Sequence, residues 1–463
     1  LRAIVKGGWL LAVLAVPVPA LAADAAGPAP GLVWGLPFLG ILLSIALFPI
    51  LAPRLWHRRM GVVAAAWAAA LVVPTAVAHG PASAAAEVWH AILTEYLPFV
   101  TLLLALFSAG GGILLRGGGA GSPGGNTGLL ALGTVLAGLM GTTGAAMVLI
   151  HPLLRANEHR TRKVHIVVFF MILVANAGGA LTPLGDPPLY IGFLHGVPFL
   201  WPAQHLAGPL LVMAALFLTA FWLYDRHACR HDGPPPPREP FRMRGWPNVG
   251  LILVVIATVL LQGIWRPGDV VVLGQAIGVE RLVGIAVFGL VAIASVGVTP
   301  RAVRQGNMFT WHPIEEVAKL FAVIFVTIGP VMAMLGAGLD GPLAGLLRLT
   351  LGPDGAPSPL AYFWLTGVLS AFLDNAPTYL VFFQLAGGDP VALTGPLNHV
   401  LTAIAAGAVF FGALTYIGNA PNLMIRSIAS HRGVRMPGFF IYLGTAAMLL
   451  APAFVVVSAL FFL

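Results

Sequence analysis

Apolar residues run in long blocks separated by short loops that collect arginine, and the blocks are of three kinds. Continuous ones lie near 31–53, 60–79, 97–115, 208–225, 247–264, 282–300, 314–336 and 438–462, close to the ~20 residues a helix needs to cross a bilayer. Two others, 164–200 and 398–429, are apolar at both ends and interrupted in the middle. The last two, about 127–153 and 359–386, are too long for one crossing and carry polar residues at their centres, the pattern of a re-entrant hairpin.

The interruptions have a physical reading. The first break, V-A-N-A-G-G-A-L-T-P-L-G-D-P-P (174–188), puts three glycines, three prolines, an Asn, a Thr and an Asp inside an apolar helix. Proline removes a backbone donor and glycine lets backbone approach a ligand, so amides and carbonyls are freed where hydrocarbon cannot satisfy them. Irregular backbone at that depth is tolerated only when buried in protein or lining a wet cavity, which makes the break a candidate site.

The layout predicts where basic residues fall, since cytoplasmic loops collect Lys and Arg. With the mature N-terminus outside, 18 of the 24 Lys and Arg lie in predicted inner loops, and only Arg266, Arg281 and Arg348 in outer ones. Arg2 and Lys6 ahead of an apolar run ending Ala20-Leu21-Ala22 resemble a signal peptide over 1–22. The order span, hairpin, broken helix, span occurs over 97–225 and again over 314–463, with the two hairpins opening to opposite sides. Helices at 23–96 and 247–313 flank these units, and a linker at 226–246 with prolines 234–237 joins them. The fold class is an all-α polytopic membrane protein with an inverted repeat, two re-entrant hairpins and two discontinuous transmembrane helices, a sequence pointer to secondary transporters.

Composition agrees: 59% hydrophobic and 9% charged exclude an ordinary soluble fold. The net charge of +8 sits in scattered loops rather than one patch, so it reads as topology and gives no reason to expect a nucleic-acid partner. A single cysteine, Cys229, excludes a disulfide framework within one chain. No phosphate loop, nucleophile elbow or zinc spacing suggests an enzyme.

Four polar clusters share one depth: Gly141-Thr142-Thr143-Gly144, Asn176 to Asp186, Asp374-Asn375-Ala376-Pro377-Thr378 and Gly418-Asn419-Ala420-Pro421-Asn422. Each hairpin tip is expected to face the break of its own half. Carbonyls, hydroxyls, amides and carboxylates suit a hard cation, and half-helix N-termini suit an anion, so the clusters alone allow either. Of 16 acids, only Asp186 and Asp374 are expected near the midplane, with no Lys or Arg at that depth to pair with them. A carboxylate there must be protonated, ion-bound or solvated, and one that alternates between a proton and a cation would couple the two flows. The candidate ligands are Thr142, Thr143, Asn176, Thr182, Asp186, Asp374, Asn375, Thr378, Asn419 and Asn422, with Asp374, Asn375 and Asn176 assigned to sodium. As structural alternatives, Asp186 would be a helix cap, the Thr and Asn side chains internal caps, His151 a satisfied interior histidine, and Glu315 and Lys319 an i,i+4 pair.

At these clusters the chain resembles the ion transporter superfamily, and within it a bacterial group labelled both citrate transporter and sodium/proton antiporter. The likeness rests on G-T-T-G-A-A-M-V-L-I-H-P-L-L-R-A-N (141–157), N-A-G-G-A-L-T-P-L-G-D-P-P-L-Y-I-G-F-L-H-G-V-P-F (176–199), W-H-P-I-E-E-V-A-K-L-F (311–321) and D-N-A-P-T-Y-L-V-F (374–382). The resemblance implies a scaffold domain, a transport domain of hairpins and broken helices, a homodimer and an elevator-like movement in the bacterial inner membrane. It implies one cation site at Thr142, Thr143, Asn176 and Thr182, and a partner site at Asp374, Asn375, Thr378, Asn419 and Asn422. The tip Asp-Asn-Ala-Pro is similar to that of NhaD-type sodium/proton antiporters, and a fixed midplane anion would repel a carboxylate substrate. The expectation is sodium/proton antiport, with cation-coupled uptake of citrate or another carboxylate as the alternative and no cofactor beyond the moved ions.

Overall fold

The computed structural model describes residues 30–118, 121–232 and 239–463. The expected signal peptide and the proline run 234–237 lie outside the described residues. Among the described residues, nine helices are long and apolar enough to cross a membrane, and the sheet content is limited to two-stranded ribbons. The chain is an all-α polytopic membrane protein.

The helices run α1 (Leu36–Leu51), α2 (Pro53–His79), α3 (Pro81–Gly110), α4 (Pro123–Met140), α5 (Thr142–Ala156), α6 (Val164–Leu173), α7 (Pro187–Leu194) and α8 (Trp201–Ala228). They continue with α9 (Trp246–Ile264), α10 (Val279–Val298), α11 (His312–Gly336), α12 (Pro359–Leu373), α13 (Asn375–Leu385), α14 (Asn398–Phe411), α15 (Ala420–His431) and α16 (Phe439–Phe461). Shorter helical turns fill the connections.

Burial sorts these into centre and periphery. The span containing α6 is 83% buried although apolar on every side, as expected of a helix surrounded by protein. Helices α2 and α10 are only 22% and 28% buried and turn Val62, Val73, Leu290 and Ile293 outward, as spans facing lipid do. The broken helices therefore form the core, and the continuous ones wrap it.

Both long apolar blocks are helix pairs. Helix α4 meets α5 at Gly141 (φ 81°), and α12 meets α13 at Asp374 (φ 74°), with each pair packed against itself. Both interrupted spans are broken where glycine and proline require it. Helix α6 gives way to a 3₁₀ turn at Ala177–Leu181 and an extended Asp186 before Pro187 starts α7. Likewise α14 passes through Gly412–Leu414 and an extended Asn419 before α15, with Pro421 in its first turn.

Two expectations are corrected. The block placed at 97–115 begins earlier, at Pro81, and its helix ends at Gly110. Its polar first half is tolerated because Trp89 donates to Val272 O (3.1 Å) and His90 Nδ1 meets Gln275 Oε1 (3.0 Å), both on a ribbon of β3 (Asp269–Val272) and β4 (Gln275–Gly278). A π-helical segment, Ala91–Tyr96, absorbs the change of phase to Leu97. The linker is more than a spacer. Part of it, β2 (Glu239–Arg244), pairs antiparallel with β1 (Leu114–Gly118), tying the segment after α3 to the segment before α9.

Candidate functional site

The site is built on local distortions that recur at one separation. Thr182-Pro183-Leu184-Gly185-Asp186-Pro187-Pro188 lies 233 residues before Thr415-Tyr416-Ile417-Gly418-Asn419-Ala420-Pro421, and the same separation relates Gly141 to Asp374 and Thr142 to Asn375. The matched residues do matched jobs. Thr182 Oγ1 donates to Gly138 O (2.5 Å) and accepts from Leu184 N, while Thr415 Oγ1 donates to Ala371 O (2.5 Å) and accepts from Ile417 N and Gly418 N. Each threonine thus fastens a broken helix to the neighbouring helix pair. Close approach explains the glycines: a Cβ on Gly185 would sit 2.2 Å from Gly179 O, and one on Gly418 would sit 2.8 Å from Gly412 O.

Asp186 is at the centre. It is 2% exposed and precedes α7, yet its side chain caps no backbone amide. Its Oδ1 instead accepts from Thr142 Oγ1 (3.3 Å) and Asn419 Nδ2 (3.2 Å), and its Oδ2 accepts from Asn375 Nδ2. One carboxylate therefore collects donors from its own helix pair, the other helix pair and the other break. The helix-cap alternative does not hold for Asp186. For Asp374 it does, since Asp374 Oδ1 accepts from Asn375 N (2.8 Å).

The remaining predicted residues divide by what they touch. Asn419 also donates to Ala175 O (3.0 Å) and Asn176 Oδ1 (3.3 Å), and Asn176 donates to Met171 O (2.8 Å) and Asn422 Oδ1 (2.9 Å). Asn422 in turn closes the second break by donating to Gly412 O and Thr415 O (both 2.9 Å). Thr378 donates back one turn to Asp374 O (2.7 Å), which satisfies its hydroxyl locally. A cavity of about 70 Å³ opens beside Asp186 and is lined by Thr142, Thr143, Asp374 and Asn419 among Leu106, Phe107, Ile314, Phe321 and Met424. Among the described residues the lining has two carboxylates and no Lys, Arg or His. Such a volume accommodates a few waters or a partly hydrated ion. Asn375 Oδ1, fully buried, has no hydrogen-bond partner among the described residues.

The expectation that each tip serves its own half is only partly met. Thr142 does face Asp186, but Asn375 and Asn419 reach Asp186 from the second half, so the two sets of ligands converge. His151 is an interior histidine, its Nε2 2.9 Å from Asn307 O. Glu315 and Lys319 form no ion pair within 4 Å; Glu316 instead lies 3.9 Å from His312 Nδ1.

One cluster escaped the sequence reading. Asp225 is fully buried and pairs with Arg160, which also donates to Gly121 O. Asn126 Nδ2 (3.1 Å) and His165 Nε2 (2.8 Å) complete its shell, and Asn126 and Asn157 exchange a pair of amide bonds (2.9 and 2.8 Å). This network joins the ends of α4, α5, α6 and α8 away from the cavity.

A family model described as "Putative citrate transport" matches residues 28–462, nearly the whole chain, and the chain belongs to that family. No curated protein matches it. The family is one of transporters, and the chain is a multi-pass membrane transporter.

Proposed function

We propose that this member of the citrate-transport family exchanges sodium for protons across the bacterial inner membrane. The observation that carries this reading is the lining of the central cavity: among the described residues, two carboxylates and no basic side chain. A di- or tricarboxylate would bring further negative charge to a site that offers it no cation. A cation, or one proton on a carboxylate, neutralises what is already there, and competition between the two for Asp186 and Asp374 couples opposite flows.

The constant separation between the two breaks and the two tips supports an inverted repeat, with α4–α5 and α12–α13 as re-entrant hairpins. The helices outside the two repeat units, over 23–96 and 247–313, are then the scaffold. The central elements are the moving body of an elevator-like cycle, in a homodimer. Cation-coupled uptake of citrate is the second reading, favoured by the family's description and by the helix N-termini of α5, α7 and α15 at the site.

A proteoliposome screen separates the two. Under an imposed pH gradient, antiport gives uptake of radiolabelled sodium without citrate. Sodium-dependent accumulation of labelled citrate, with no sodium uptake driven by the pH gradient, would favour the second reading instead.

A further inference from the structure

A second cavity lies away from the centre, in a groove between α2 and α11. It holds about 410 Å³, and its walls are small side chains: Gly61, Ala64 and Ala65 on α2, Ala318 and Ala322 on α11. Gly61 and Ala65 are exposed along it, on a helix that is only 22% buried and turns Val62 and Val73 outward. The groove therefore belongs to the lipid-facing side. Val323, eight residues beyond Glu315 on α11, lines its far end together with Tyr96 of α3.

The other end of the groove is charged. Glu315 and Lys319 line it from α11, and the Lys319 stem passes over α2, with its Cδ 4.0 Å from where a Cβ on Gly61 would sit. On α2, Arg54, Arg58, Gly61 and Ala65 are spaced by four, three and four residues, so the two arginines continue the groove wall towards the start of the helix. Arg54, Arg58 and Lys319 are all exposed, and none makes a hydrogen bond or an ion pair among the described residues. Glu316 turns instead to His312 (3.9 Å), which leaves the carboxylate of Glu315 against three cations.

Both ends of the groove call for an occupant. A void between helices in hydrocarbon forfeits dispersion contacts along its walls, and water gains no hydrogen bonds from alanine and glycine side chains. Lys319 stands about 10 Å along α11 from His312, a depth at which an ammonium group must reach back towards the headgroups or meet an anion. A soluble anion would satisfy the cations and leave the groove empty. A second copy of this chain, docked about a two-fold axis through the groove, would set its own Arg54, Arg58 and Lys319 against them. A lipid with an acidic head and an apolar chain matches both ends.

We propose that the groove between α2 and α11 binds an anionic phospholipid of the cytoplasmic leaflet, with its phosphate held by Arg54, Arg58 and Lys319 and one acyl chain lying over Gly61 and Ala65 towards Tyr96. The positive-inside rule assigns the arginine end to that leaflet. Arginine grips two phosphate oxygens through parallel N–H bonds, and lysine adds a point charge. From Glu315 to Val323 the helix rises about 12 Å, close to the ~15 Å of hydrocarbon in one leaflet, half of a ~30 Å layer. A zwitterionic lipid would bring its own cation to the same place, so the site discriminates by headgroup charge. Binding here is independent of what the central cavity carries.

The test is native mass spectrometry of the purified protein in detergent, titrated with phosphatidylglycerol or with phosphatidylcholine of the same chains. Wild-type protein should bind phosphatidylglycerol about tenfold or more tightly than phosphatidylcholine. The double variant Arg58→Gln, Lys319→Gln should lose that preference, and Gly61→Leu should weaken both lipids alike by filling the groove. Arg226→Gln, which removes an exposed cation on α8, should change nothing, and this separates a site from the general attraction of a basic protein for acidic lipid. Equal affinity of the wild-type protein for the two lipids, or an unchanged preference in the double variant, would overturn the proposal. So would a Gly61→Leu protein that falls from dimer to monomer with its lipid preference intact, since a second copy would then be what covers the groove. Should Gly61→Leu fail to fold, the charge variants decide alone, because they alter only exposed side chains.

Discussion

Asn375 donates its side-chain amide to Asp186 Oδ2 across 189 residues of chain, so the tip of the second helix pair holds the carboxylate of the first break. The opposite amide orientation would set an oxygen against that carboxylate. A site shared in this way has consequences for both halves.

Asn375→Ala should weaken sodium binding about tenfold or more, since it removes a charge-assisted bond worth about 1.5–3 kcal/mol at a fully buried position. Isothermal titration with sodium measures it. Binding at wild-type affinity would mean that Asp186 does not depend on the second half.

Asp374 holds φ 74° where the matched position in the first half is Gly141 at 81°. With ψ 147° this is a positive-φ extended conformation, which costs a non-glycine residue about 1–3 kcal/mol, and the Asp374 carboxylate recovers part of that by capping Asn375 N. Asp374→Gly should therefore change stability by no more than about 1 kcal/mol, while abolishing sodium/proton exchange. Thermal unfolding in detergent and vesicle transport together test this. Retained exchange would remove the Asp374 carboxylate from the mechanism.

The buried Arg160–Asp225 pair predicts a stability effect remote from the cavity. Asp225→Ala should destabilise by about 3–5 kcal/mol, because it strands a buried guanidinium, and the double change Arg160→Met, Asp225→Leu should recover most of the loss. Unfolding midpoints of the three proteins decide. Equal loss in the single and double variants would mean that the pair is not the source of the effect.

Gly185→Ala should reduce exchange severely, since its Cβ would come within 2.2 Å of Gly179 O and push the Gly185 backbone, whose own carbonyl accepts from Thr142 N (2.9 Å), out of place. Transport at the wild-type rate in vesicles would show that the break tolerates a wider backbone separation.

Particular residues show how far the sequence could be read. The breaks were legible because glycine and proline act locally, and Gly141, Asp186 and Asp374 lie where a helix must end or bend. Convergence on Asp186 was not, because pairing between Asn375 and Asp186 depends on how the halves dock, which periodicity does not encode. Asp225 was missed for a related reason: it stands at a helix end beside arginines, and only packing shows that Arg160, His165 and Asn126 enclose it. The short ribbons β1–β2 and β3–β4 were missed because runs of four to six residues carry too little alternation. The pairing of Thr182 with Thr415 was available by aligning the two breaks.

The central claim is that sodium and protons compete for one carboxylate pocket. Sodium binding to purified protein in weakly buffered detergent, with released protons followed by a pH-sensitive dye, tests it without a membrane. Sodium should release protons from the wild-type protein and none from Asp186→Asn. Sodium that binds tightly to the wild-type protein without releasing protons would contradict the claim.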